Sequence, residues 1–219
     1  SQSLTIATLL DLEITSDTIK YNLKDAKINF KDKVNIDDKI NNLVIYSDQI
    51  DYDVNNQKIS GQDKTKIIDE FDNTYEVGEF EYSTKNRIIK LANTKVLDQN
   101  ENIFDLEVAY LDLNKKEIVA KDIGLNFKIS ENSENEPRLK GRSLISDERN
   151  TIVKKGTFTF CKKREKCPPW EMSAKEIRHD KLKKIIHYKG ASLKIYDKKV
   201  FYFPKFFHPD PTVKRQSGF

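Results

Sequence analysis

The chain has 219 residues, of which 37% are hydrophobic and 34% are charged, which is enough for a sizeable folded core. Seven glycines exclude a low-complexity polymer, and no stretch approaches the ~20 apolar residues of a transmembrane helix. The apolar residues are mainly Ile, Val, Leu, Phe and Tyr, which favour strands, whereas alanine, the best helix former, is scarce. The composition therefore predicts an all-β protein.

The net charge of +4 conceals an uneven distribution of charge along the chain. Residues 138–219 hold 22 Lys and Arg against 8 Asp and Glu, whereas residues 1–137 hold 17 against 27. A basic half is found in nucleic-acid-binding proteins, but no RNP, helix-turn-helix or zinc-finger pattern accompanies it here. We therefore expect no nucleic acid partner, and instead an anionic partner or an acidic neighbouring domain.

The chain begins with a short apolar segment, residues 4–10. This segment lacks the basic region that precedes the apolar part of a signal peptide, and it is short for such a part. We expect residues 1–10 to form an N-terminal segment that supplies an edge strand.

A repeat of about thirty residues follows. The sequence SDTIKYN at residues 16–22 recurs as SDQIDYD at residues 47–53, and related segments begin at Gly78, Leu106 and Ala174. Each copy alternates apolar and polar residues, reaches an Asn/Asp/Lys turn and alternates again, which is typical of half-buried antiparallel strands. Such units bury their apolar faces against their neighbours, so residues 11–199 are predicted to form a stacked, folded-over sheet or jelly roll. The segment 131–137 interrupts the repeat as a loop insertion.

The apolar strand residues have two interpretations. They pack as an ordinary core, or some of them line an open groove for an acyl chain, and periodicity does not separate these alternatives. The candidates for a lipid groove are Ile19, Tyr21, Ile28, Phe30, Ile50, Tyr52, Ile59, Phe80, Tyr82 and Ile89.

Catalytic motifs are absent from the sequence. It holds no P-loop, no G-x-G-x-x-G, no G-x-S-x-G and no H-E-x-x-H, and no nucleophile is apparent beside His179, His187 or His208. We therefore expect no catalytic residue, no cofactor and no enzymatic activity.

The two cysteines, Cys161 and Cys167, flank a basic segment between two alternating strands. Across a hairpin mouth they could form a disulfide, which would stabilise the fold by about 2 kcal/mol. Free thiols are a second possibility. Zinc with His179 and His187 is a third, but the ligand spacing departs from the usual patterns, so no metal site is predicted.

The last twenty residues combine aromatic residues with prolines, which are confined to the edges and bulges of sheets. We expect a strand that leaves its sheet as a rigid connector over residues 200–219. The residues that mark this junction are Phe201, Tyr202, Phe203, Pro204, Pro209 and Pro211.

The repeat with its Ser-Asp-x-Ile-x-Tyr anchors resembles the OstA, or organic-solvent-tolerance, N-terminal domain family of lipopolysaccharide-transport proteins. The sequence CPPW at residues 167–170, VFYFP at 200–204 and SGF at 217–219 resemble the stretch that precedes the outer-membrane barrel in the LptD branch of that family.

This resemblance implies a periplasmic β-jellyroll, or β-taco, of two-strand repeats that is attached to the outer membrane through a C-terminal barrel. The implied ligand is lipopolysaccharide, whose lipid A acyl chains would occupy the groove. The implied partners are an LptA-like bridge protein that adds a strand to an exposed edge, an LptE-like lipoprotein and the barrel of the same protein. An LptA- or LptC-like bridge component, and a β-repeat scaffold that binds only proteins, are the alternatives.

Overall fold

The computed structural model describes residues 4–7, 12–128, 137–160, 169–196, 198–210 and 213. These residues form fifteen strands and no helix, so no helix here could cross a membrane, and the predicted all-β class is confirmed. The strands are β1 (Leu4–Ala7), β2 (Leu12–Ser16), β3 (Thr18–Asn22), β4 (Lys27–Asp38), β5 (Leu43–Asp53), β6 (Lys58–Ile68), β7 (Thr74–Ser83), β8 (Ile88–Leu97), β9 (Ile103–Asp112), β10 (Glu117–Asn126), β11 (Pro137–Ser146), β12 (Asn150–Phe160), β13 (Trp170–Asp180), β14 (Ile185–Ile195) and β15 (Lys198–Pro209).

The strands form one antiparallel sheet in the order β1-β2-β4-β5 and then consecutively to β15, with β3 paired to β4. β2 and β3 pair with successive parts of β4 and so act as one interrupted strand. The chain divides into two compact units, the first Ser1–Gln99 with Leu106–Lys116 and the second Asn100–Asp105 with Glu117–Phe219. Most of the predicted loop insertion at 131–137 lies outside the described residues.

Most of the long strands have a corner near the middle, where the alternation of buried side chains slips by one residue, whereas in β4 the buried Phe30 and Val34 on either side of the corner are four residues apart. In β7, Tyr75 and Val77 are buried, and the next buried side chains are Phe80 and Tyr82, so the step across the corner is three residues. A strand alternates strictly while it is straight. The extra residue therefore marks a bend and returns the apolar side chains of the second half to the same face.

The even-numbered strands make this bend with a residue in the left-handed region. These residues are Lys33, Lys64, Asn93, Asp122 and Lys155, and Gly190 takes the same place in β14. In β4 and β6 the pairing register also shifts at this point, which is a β-bulge. Within each unit these bends recur on every second strand, so they act together as a fold line across that part of the sheet.

The repeated Ser-Asp anchors form this corner. The Ser47 hydroxyl donates to the carbonyl of Gln49 at 3.0 Å, and Ser16 donates to Thr18 in the same way at 3.0 Å. Such short-range hydrogen bonds satisfy backbone groups where the ladder is interrupted. The Ser-Asp repeat in the sequence therefore marks the positions at which the strands bend.

The bend brings opposite ends of the strands together in the first unit. Cross-strand pairs connect Tyr82 of β7 through Ile59 and Tyr52 to Ile28 of β4. Ile28 is ten residues from Asp38 along β4. In a flat sheet that offset corresponds to about 33 Å. The Tyr82 hydroxyl nevertheless lies 2.5 Å from Asp38 Oδ2. The sheet of this unit therefore folds over on itself.

Turn residues at the strand ends are held by Asp side chains. Asp53 accepts hydrogen bonds from the side chain and the backbone of Asn56, at 2.9 Å each, and these bonds lower the pKa of its carboxyl. The backbone N–H of Lys183 lowers the pKa of Asp180 similarly. These contacts are the Asx-type turns that the Asn/Asp-rich segments predict.

The final strand continues farther than the sequence suggests. The sequence predicts a connector over residues 200–219, and within that range β15 is paired with β14 as far as Pro209. Pro204 causes no break because it lies opposite Gly190, at the corner, where the ladder is already interrupted. Pro211 lies outside the described residues.

We expect Gly141→Ala to destabilise the protein by about 1–3 kcal/mol because of overpacking. A Cβ at this position would lie 2.1 Å from Cγ1 of the buried Val153. Urea unfolding followed by circular dichroism measures the loss.

The matched control is Gly124→Ala on the adjacent strand, where a Cβ would meet no atom closer than 3.8 Å. Its free energy of unfolding should be unchanged or slightly raised, because alanine restricts the unfolded chain. Equal losses for the two variants would contradict this account of the packing.

Candidate functional site

The ten groove candidates lie together on the inner face of the first unit. They occupy two rows that cross the strands from β3 to β8. The first row is Ile19, Phe30, Ile50, Gly61 and Phe80, and the second is Tyr21, Ile28, Tyr52, Ile59, Tyr82 and Ile89. The residues chosen from the sequence repeat are therefore neighbours in space, although whether they contact a lipid stays a prediction.

Exposure changes systematically along these rows. Phe30, Ile50, Ile59, Phe80, Tyr82 and Ile89 are buried, while Ile19, Ile28 and Tyr52 are partly exposed. Tyr21 on β3 is 54% exposed. The inner face is thus filled by its own side chains over β6–β8 and reaches solvent at β3.

Gly61 is the one member of the first row without a side chain, and the Phe80 ring from the neighbouring strand fills its place. A Cβ at this position would lie 2.5 Å from Cε1 of Phe80, so the Phe80 ring packs directly over the glycine backbone. The Phe80 ring therefore occupies the space that a side chain at position 61 would need.

A buried polar cluster joins the two ends of the folded strands above the second row. Asp38 accepts hydrogen bonds from the backbone N–H of Asn41 at 3.1 Å, from its side-chain amide at 2.7 Å, and from the Tyr82 hydroxyl at 2.5 Å. Burial, together with this bond to Asp38, raises the pKa of Tyr82, so the phenol remains a proton donor at neutral pH. We call these three residues the Asp38 latch.

A second bridge crosses the same opening farther along the unit. Lys116 Nζ lies 2.6 Å from Glu70 Oε2 and 5.6 Å from the centre of the Phe71 ring. Lys116 lies in the turn after β9, whereas Glu70 and Phe71 lie in the turn between β6 and β7. Both bridges are polar and close the fold opposite the corner.

The second unit has an aromatic inner face at its last strands. The Phe158 ring lies 6.4 Å from Tyr188 and 5.3 Å from His208, and the Tyr188 hydroxyl is 2.8 Å from His208 Nε2. Burial raises the pKa of Tyr188. Phe206 extends this cluster, with its ring 5.8 Å from Tyr188.

The residues predicted to mark the junction occupy both faces of β15. Phe203 faces inward beside Phe206, with ring centres 5.4 Å apart, and Phe201 follows it at 6.3 Å. Tyr202 is 63% exposed, and Pro204 and Pro209 are also exposed. β15 is therefore an aromatic strand whose side chains are more exposed to solvent than those of the buried strands.

The three histidines do not converge. His179 Nε2 lies 2.6 Å from Oδ2 of the buried Asp210, an ion-pair distance without hydrogen-bond geometry, whereas His187 stacks near Phe207 with ring centres 6.0 Å apart. Within the described ranges, no group of three His, Cys, Asp or Glu residues could hold a metal ion. Cys161 and Cys167 lie outside the described residues.

Sequence reasoning missed the buried carboxylates at the strand ends. Asp69 receives backbone hydrogen bonds from Phe71 and Asn73 and a bond of 2.7 Å from the Tyr75 hydroxyl, thirty-one residues after Asp38. This spacing equals the repeat, so Asp followed by Asn at three or four residues was a detectable signal. The contact between Asp38 and Tyr82 joins distant strands, and no local pattern specifies it.

No family model matches this chain, and no curated protein matches it. The resemblance to the OstA-type family therefore depends on the repeat and on the C-terminal motifs quoted from the sequence.

We expect Tyr82→Phe to lower the free energy of unfolding by about 1–3 kcal/mol, because the buried Asp38 would lose its hydroxyl partner. Chemical denaturation at neutral pH measures this loss.

Tyr46→Phe is the control, because Tyr46 is an exposed tyrosine on the outer face of β5. Its free energy of unfolding should stay within about 0.5 kcal/mol of the unchanged protein. If Tyr82→Phe were as harmless as Tyr46→Phe, the Asp38 latch would not stabilise the fold.

Proposed function

We propose that this chain is a periplasmic lipid-conduit domain that receives lipopolysaccharide from a bridging protein and passes it to an outer-membrane barrel. The observation that carries the proposal is the alignment of the ten apolar candidates in two rows on one face of a folded sheet. A row of inward aliphatic and aromatic side chains is the surface that acyl chains require.

The exposure gradient supports access at the β3 end of the first unit. Tyr21 and Leu23 are exposed there, and β3 pairs with β4 alone among the described strands. An unpaired strand edge can accept a strand from another protein, which is how an LptA-like bridge protein would dock. Acyl chains would then pass from the partner onto Ile28 and Tyr52 before they reach the buried residues.

Passage beyond that point requires the side chains of the inner face to move. The candidates on β6–β8 are buried, and the Asp38 latch closes the fold beside Tyr82. Polar bridges can be exchanged for water when the two halves of the fold separate, whereas apolar core contacts cannot. The proposal therefore includes separation of the strand ends at the latch as the lipid advances.

For the second unit, the family resemblance implies delivery of the lipid to the barrel of the same protein, with an LptE-like lipoprotein beside it. The exposed aromatic residues of β15 support a further contact at this end, since large exposed apolar patches mark interaction surfaces.

A second candidate function follows from the burial of the inner-face side chains. A packed and latched interior also suits a β-repeat scaffold that binds only proteins through its exposed strand edges. The two functions differ in whether the inner face of β5 ever contacts lipid.

A photocrosslinking amino acid at Tyr52, on the inner face of β5, should capture lipopolysaccharide added to the purified chain. Its matched control is Tyr46, a tyrosine on the outer face of the same strand. Immunoblotting of the adducts measures capture at each position.

Adducts at Tyr52 that are at least tenfold more abundant than those at Tyr46 would support the conduit. Equal capture at the two positions, or none at either, would overturn the conduit and leave the protein-binding scaffold.

A further inference from the structure

A row of cross-strand partners that includes three exposed lysines runs along the corner of the second unit. Ser143, Lys154, Glu176, Lys189 and Lys205 are successive cross-strand partners from β11 to β15. Arg142, Lys155 and Lys175 lie next to this row on the same strands. We call Arg142, Lys154, Lys155, Lys175, Lys189 and Lys205 the basic ridge.

The ridge projects outward because the corner places two exposed residues in succession between buried ones. Lys154 and Lys155 are exposed between the buried Val153 and Gly156. Lys175 lies across Gly190, with its Cδ 3.2 Å from the position that a Cβ there would occupy. Neighbouring strands are about 4.8 Å apart, so the cations of adjacent strands lie close together along the corner.

The ridge is electrostatically different from the corner of the first unit. There the corner lysines are neutralised: Lys33 pairs with Asp17 at 3.1 Å, and Lys64 pairs with Asp48 at 3.3 Å. None of the six ridge cations forms an ion pair with a carboxylate of the described residues. Glu176 is the one carboxylate within the row. On β10, next to the Ser143 end of the row, Lys121 pairs with Asp122 at 3.6 Å.

Exposed aromatic residues continue the ridge at β15. Tyr202 is 63% exposed and Phe207 is 66% exposed, and Lys205 lies between them on the same strand. Aromatic rings next to basic side chains are typical of surfaces that rest at a membrane interface, where the rings enter the headgroup layer and the cations bind lipid phosphates.

We propose that the basic ridge and the outer face of β15 form a docking surface for an anionic phospholipid bilayer. Charge complementarity selects this partner, because the ridge concentrates unneutralised positive charge on the unit that also exposes aromatic residues. A nucleic acid duplex would use the cations and leave Tyr202 and Phe207 without a role. This surface lies outside the apolar inner face, and its test requires no lipopolysaccharide.

The experiment is co-sedimentation of the complete chain with vesicles of phosphatidylcholine alone or of an equimolar mixture with phosphatidylglycerol. The chain should bind the anionic vesicles and not the neutral ones, and binding should weaken as NaCl rises from ~50 to ~300 mM.

The triple variant Lys154→Gln, Lys175→Gln, Lys189→Gln should bind the anionic vesicles at least tenfold more weakly, since each cation near such a surface contributes about fivefold to partitioning. Its control, Lys20→Gln, Lys66→Gln, Lys95→Gln, removes the same charge from exposed positions of the first unit. The control should lose less than threefold, and circular dichroism establishes that both variants are folded.

Tyr202→Ser with Phe207→Ser should also weaken binding to the anionic vesicles. Equal loss in the two lysine triples, binding to neutral vesicles, or no binding to either vesicle would overturn the proposal. Tighter binding of duplex DNA than of anionic vesicles at the same NaCl concentration, unchanged by Tyr202→Ser with Phe207→Ser, would overturn it as well, in favour of a nucleic acid site. Each outcome is independent of crosslinking at Tyr52, so the conduit and the docking surface can fail separately.

Discussion

A sheet with one apolar face can bury that face against itself only if its strands bend, and each bend must restore the direction of the side chains. In β7, an uninterrupted alternation after Tyr75 and Val77 would place Glu79 and Glu81 inward in the second half of the strand. The slip of one residue in β7 and β8 solves this problem, because Phe80 and Thr94 follow Val77 and Leu91 after three residues. The interior, the latch and the ridge all depend on this slip.

The bend also explains why unusual backbone conformations accumulate in ordinary residues. A non-glycine residue in the left-handed region is energetically unfavourable, and yet Lys33, Lys64 and Lys155 adopt it at equivalent places. The long polar side chains at these positions point away from the interior, so they impose no packing demand at the bend. The charges of these side chains differ in their surroundings between the two units. In the first unit Lys33 and Lys64 form ion pairs, whereas in the second unit Lys155 belongs to the unpaired basic ridge.

The sequence specifies the all-β class and the members of the two rows, because both are consequences of a period of two and of a repeat. It does not specify the fold-over, which depends on contacts between residues far apart in the chain. Tyr82 was selected as an apolar candidate, but its hydroxyl bond to Asp38 joins strands that are not neighbours in the sheet. Pro204 shows the same dependence on tertiary structure: proline disfavours pairing within a sheet, yet a corner accepts it because the ladder is already interrupted there.

The chemistry that closes the folded sheet constrains how it could carry a lipid. Apolar contacts between Phe30, Ile50 and Ile59 hold the interior shut in proportion to buried area, and acyl chains could replace them at little cost because one apolar surface substitutes for another. An acyl chain cannot replace the hydrogen bond to Asp38, because a carboxylate that loses Tyr82 inside an apolar interior would be left without a partner at a large cost in free energy. Water must therefore reach Asp38 whenever the strand ends separate, which requires the latch to lie at the rim of the fold. Its position at the end of β4 meets that requirement, and the same reasoning explains why the second bridge, Lys116 with Glu70, also joins turns rather than strand centres.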